Sequence, residues 1–104
     1  MYEQMTIFDL LKPSLDDLPE EDMVRQVSSA TGLDFKWRDD FWKWECKVKD
    51  VRFSVHYSNY SFGNHERFIS CGYDRKTEGS SGPMDSLDEA IEFFKKGKER
   101  YRLH

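Results

Sequence analysis

The stretch WKWECKVKDVRFSVHY, residues 42–57, alternates with a period of two and is interrupted once, at Lys49 and Asp50. Trp42, Trp44, Cys46 and Val48 fall on one side, and Lys43, Glu45, Lys47 and Lys49 on the other. Beyond the interruption Val51, Phe53, Val55 and Tyr57 alternate with Arg52, Ser54 and His56. Successive side chains of a strand point to opposite faces, so the pattern predicts two half-buried strands. A tight turn at Lys49 and Asp50 joins them into a hairpin. One face of that hairpin is apolar and needs a cover, while the other is left to solvent or a partner.

Towards the N-terminus the same period reaches back through Trp37, Phe35 and Leu33, with Asp39 and Asp40 marking a turn. Before Gly32 the period becomes helical. Pro19 at a first helical position and Glu20, Glu21 and Asp22 in the first turn predict a helix that runs to Thr31 and buries Met23, Val24, Val27 and Ala30. Towards the C-terminus, residues 59–66 read as a loop and 67–73 as a strand burying Ile69, Cys71 and Tyr73. Residues 75–85, with Gly79, Ser80, Ser81, Gly82 and Pro83, read as a mobile surface loop. Ser86 and Glu89 form a capping box that opens a last helix, whose core stripe is Leu87, Ala90, Ile91 and Phe94. Gly97 weakens that helix, and residues 98–104 fray or extend it. The expected fold is therefore α+β, an antiparallel sheet of three or four strands with two helices on one face, in the order α-β-β-β-α. A short N-terminal arm over residues 1–13, closed by Pro13, precedes a single domain over 14–104.

The chain has 104 residues, enough for one core. Only 38% of it is apolar but 15% is aromatic, so that core rests on a few large side chains. Residues 1–40 carry ten acids and four bases, 41–83 five and seven, and 84–104 five of each, giving a net charge of −4. The acidic excess argues against general nucleic-acid binding, which needs cations to replace phosphate counterions. It favours a protein partner with a basic surface. No apolar run long enough to span a membrane and no leader are evident, which points to the cytoplasm and to reduced Cys46 and Cys71.

Neither cysteine has a neighbouring base to activate it, and His56, His65 and His104 lack the spacing of metal ligands, so the expectation is no enzyme, no metal and no cofactor. The expected contact residues are instead acidic and aromatic: Asp16, Asp17, Glu20, Glu21 and Asp22, then Asp34, Asp39 and Asp40, with Tyr60 and Phe62 as anchors. Lys43, Lys47, Arg52, His56 and Arg67, diluted by Glu45, read as a mixed-charge solvated face, with a second, basic candidate patch as the alternative. Gln4, Met5, Ile7 and Phe8 suit a peptide that fills a pocket with apolar bulk while the glutamine amide bonds at its rim, or an amphipathic turn packed on this chain's own sheet.

Gln4 to Phe8 resembles the short motif by which bacterial polymerases and repair proteins bind the sliding clamp, matching at Gln4 and Phe8 and departing at Met5, Thr6 and Ile7. The resemblance implies a replication or repair accessory. The element order resembles that of double-stranded-RNA-binding domains, but Asp85, Asp88 and Glu89 stand where that family places phosphate-gripping lysines, so the likeness is one of topology. The segments YEQMTIFDLL and RFISCGYDRKTEGSSGPMDSLDEAIEFF resemble small proteins carried by phages and mobile elements of Gram-positive bacteria, a class that includes anti-CRISPR proteins. That resemblance implies an inhibitor or modulator of a host nucleic-acid-processing complex, a CRISPR nuclease being the most specific case.

Overall fold

The structure, a computed structural model, describes residues 15–59 and 67–103. The arm expected over 1–13, with Gln4, Met5, Ile7 and Phe8, lies outside them, as do Tyr60 and Phe62. After a single turn at Leu15–Asp17 the chain forms helix α1 (Glu20–Thr31), strands β1 (Lys36–Arg38), β2 (Lys43–Val48), β3 (Val51–Asn59), β4 (Arg67–Arg75) and β5 (Glu78–Met84), and helix α2 (Leu87–Arg100). The strands build one antiparallel sheet in sequence order.

The hairpin of the opening stretch forms in the expected register, with Val48 opposite Val51 and Lys49 in the left-handed region at φ 57°. Among the described residues the sheet nevertheless has five strands, one more than the upper expectation. The extra strand is β5, in the segment expected to be a loop, and it pairs with β4 from Arg75↔Glu78 to Ile69↔Met84. Its sequence, EGSSGPM, offers no apolar alternation because it is an edge strand with little to bury. Pairing with β4, not side-chain preference, makes it a strand.

Both helices cover one face of the sheet. Met23, Val24 and Val27 of α1 and Ala90 and Phe94 of α2 share a core with Cys46, Val51, Phe53, Val55, Ile69, Cys71 and Tyr73 of the strands. Phe94 is central, its ring 5.3 Å from that of Phe35 and 6.1 Å from that of Phe53. Ala30, expected in this core, is exposed, and Thr31 is buried in its place. The Thr31 hydroxyl donates to the Val27 carbonyl at 2.7 Å and accepts from the Leu33 N–H at 3.3 Å, so its polar atom enters the core satisfied.

Pro19 is the residue before α1, not its first, and Gly32 ends the helix at φ 76° with its N–H on the Ser28 carbonyl. Ser86 caps α2 by accepting from the Glu89 N–H at 3.2 Å, and the Glu89 carboxylate returns one residue further out, to the Asp85 N–H at 2.8 Å. Gly97 has a packing role that propensity alone does not reveal. A Cβ there would stand 2.7 Å from the Tyr73 ring, so glycine is what lets that ring lie against the helix. Beyond α2 the chain folds back, burying Leu103. No helix among the described residues is long and apolar enough to cross a membrane.

Candidate functional site: the aromatic and acidic end of the sheet

Strand β1, the start of β2 and the turn between them carry all three tryptophans of the chain. Trp37 packs its ring 5.5 Å from Trp44 and 6.5 Å from Trp42, in edge-on geometry. The connection between the strands, closed by Arg38↔Lys43, holds Phe41 and Trp42 in water. Trp37, Phe41 and Trp42 are 39%, 53% and 77% exposed, and among the described residues they are the large apolar side chains left open.

Trp42 was expected to point inward with Trp44 and Cys46. It lies instead in the turn, one residue before β2, at φ 54°. A bulky L-residue in this region costs roughly 1–2 kcal/mol. The strand alternation therefore begins at Lys43, and Trp42 combines backbone strain with exposure.

Charged groups frame these rings. The Arg38 guanidinium lies 5.3 Å from the Phe41 ring centre and reaches Asp40 at 2.9 Å and Glu45 at 3.0 Å. Its hydrogen bond holds the Asp40 carboxyl below the usual range, while the same bond raises Arg38. Asp39 accepts from the Trp37 indole N–H. Beside Trp37 and Trp44, the start of α1 closes a cleft of about 730 Å³ lined by Pro19, Glu20, Glu21, Asp22 and the two indoles. Its walls carry three carboxylates and no cation.

The expected acidic residues thus separate into different roles. Glu20 accepts from the Tyr57 N–H at 2.8 Å and ties α1 to β3. Asp22 pairs with Arg25 at 3.0 Å, and Asp34 with Lys36 at 3.2 Å. Asp17 and Glu21 are exposed, and for Asp16 only the backbone turn is described. The structure brings Glu20, Glu21 and Asp22 to Trp37 and Trp44, an association that distance along the chain conceals. A signal that could have found the site is the concentration of three tryptophans between residues 37 and 44, which alternation assigned to the apolar face.

The basic candidate patch is only partly assembled. Lys43, Lys47, Arg52 and His56 share the open sheet face, but Arg67 leaves it: its guanidinium lies 4.7 Å from the Tyr57 ring centre and donates to the Leu15 carbonyl. Glu45, with a side chain only 11% exposed, sits among these cations and contacts both Arg38 and Arg52. The cysteines lie in the core. Burial pushes the Cys71 thiol up to about 12 and raises Cys46 as well. His56 stands opposite Ser70 on the open face, away from Cys71, and burial lowers its pKa. Among the described residues no group of three His, Cys, Asp or Glu side chains is placed to hold a metal ion. Comparison with known proteins found no matching family model, no matching curated protein and no matching solved structure.

Proposed function

We propose that this chain works by binding and not by catalysis, docking its aromatic and acidic end on a basic surface of another protein. The observation that carries this reading is Trp42, an indole 77% exposed on a strained backbone beside Phe41 and Trp37. Large aromatics that cluster in the open are the usual anchors of protein interfaces. The carboxylates of Glu21, Asp22 and Asp39 add the charge that selects a cationic counterpart and speeds encounter. A basic surface of this kind lines the nucleic-acid channels of processing enzymes. The chain is thereby read as an inhibitor or modulator of such a complex, in keeping with the resemblance to mobile-element and anti-CRISPR-like proteins.

Capture experiments test the reading. A tagged chain should retain a partner from bacterial lysate, lose it on Trp42→Gly, and release it as salt is raised. Glycine relieves the backbone at this position, so loss of fold is not the expected cause. Capture unaffected by both Trp42→Gly and Trp37→Ala would place the interface elsewhere and defeat the proposal.

A further inference from the structure

The cleft between α1 and the tryptophans has a composition that specifies its occupant more closely than the exposed rings do. Glu20, Glu21 and Asp22 bring three carboxylates to a cavity of about 730 Å³ whose other walls are Pro19 and the indoles of Trp37 and Trp44. The partial positive charge at the start of α1, about half an elementary charge, is outweighed by those carboxylates even with Arg25 beside Asp22. Flat aromatic walls next to carboxylates suit a planar cation better than a compact one. Guanidinium stacks on rings and forks onto carboxylates, whereas ammonium is a strongly hydrated point charge.

The chain displays this chemistry next door. Arg38 lies 5.3 Å from the Phe41 ring centre while forking onto Asp40 at 2.9 and 3.2 Å. Its own arginine there fills the kind of setting that the neighbouring cleft offers to an arginine from outside.

We propose that the cleft receives an arginine side chain from an extended, arginine-bearing segment of a protein partner, one of the two edge-on indoles, Trp37 or Trp44, stacking on the guanidinium and Glu21 and Asp22 pairing with it. This rests on the reading of the aromatic end as the interface and adds the identity of the side chain it selects.

The full chain can be titrated with a nona-arginine peptide, followed by calorimetry and by intrinsic fluorescence, which arises chiefly from a cluster of three tryptophans, two of which, Trp37 and Trp44, line the cleft. Binding should weaken roughly tenfold in the double variant E21Q/D22N and at least that much with a nona-citrulline peptide, the neutral isostere, with nona-lysine several-fold weaker than nona-arginine. E92Q/E99Q, on exposed α2 positions, should bind as the parent does, which separates the cleft from overall acidity. Equal losses in E21Q/D22N and E92Q/E99Q, or equal binding of the citrulline peptide, would overturn the inference. Lysate capture distinguishes the two levels. A partner that still depends on Trp42 but is indifferent to E21Q/D22N removes the arginine site and leaves the interface standing, whereas indifference to Trp42 and Trp37 removes both.

Discussion

The two ends of the sheet's aromatic content are used in opposite ways. In β3 and β4, Phe53 and Tyr73 lie under the helices, with Phe53 fully buried and its ring 6.1 Å from that of Tyr73. At the β1–β2 end the rings of Trp37, Phe41 and Trp42 stand in water among charged groups. The first region uses large side chains to make the fold, through burial worth roughly 1.5–3 kcal/mol each. The second leaves rings 39–77% exposed and also holds Trp42 on an unfavourable backbone. Among the described residues these three open aromatics are the ones on which the proposed contact surface rests.

The sharpest way to break this comparison is to truncate one ring in each region. Phe53→Ala should lower unfolding stability by about 3–5 kcal/mol, read from the urea midpoint, because it opens a cavity in a packed core. Trp42→Gly should leave stability unchanged or raise it by up to about 1 kcal/mol, since glycine accepts φ 54° freely. A large loss in the second variant would mean that Trp42 supports the fold and would erase the distinction.

A smaller effect is expected at the contact between Tyr73 and α2. Helix propensity alone says that Gly97→Ala gains nearly 1 kcal/mol, but the added methyl meets the Tyr73 ring at 2.7 Å. The clash should win, giving a net loss of about 1–3 kcal/mol by thermal or urea unfolding. A stabilised variant would show that Tyr73 yields easily and that the core is loosely packed there.

The gentlest probe is pH. The Cys71 thiol is raised by burial from an ordinary value of 9.0 to about 12. The folded state then holds a proton that the unfolded chain has released, so the stabilising contribution is complete below pH 9 and falls as pH rises towards 12. Urea midpoints measured above pH 9 should decline less steeply in Cys71→Ala than in the parent, although the variant starts lower. Parallel slopes would show that Cys71 reaches solvent.

What was legible in the sequence is what alternation and caps encode. The β2–β3 hairpin, the face of β4 that carries Ile69, Cys71 and Tyr73, the Gly32 stop and the Ser86 cap follow from side-chain period and local hydrogen bonding, and the structure has them. Strand β5 escaped because glycine and serine carry no periodic signal, and its conformation is imposed by β4. Thr31 displaced Ala30 because helical spacing ignores a hydroxyl that can satisfy itself on the preceding turn. Trp42 escaped because alternation continues by accident one residue into the turn. The site was half legible: the acids were visible as contact residues, but the tryptophans read as part of the apolar strand face, with Tyr60 and Phe62 expected as anchors, and the cleft that joins residues 19–22 to 37 and 44 exists only once α1 is laid across the sheet.

The strictly sequential order of the strands also bears on how the molecule assembles. Every strand partner is the next strand along the chain, so the sheet can zip hairpin by hairpin with short loop closures. The long closure is the one between the helices, where the Lys98 ammonium donates to the Thr31 carbonyl at 2.6 Å across 67 positions. The tryptophan cluster is held by contacts local to the β1–β2 hairpin, while the apolar sheet face is covered by α1 and α2, which flank the sheet in sequence.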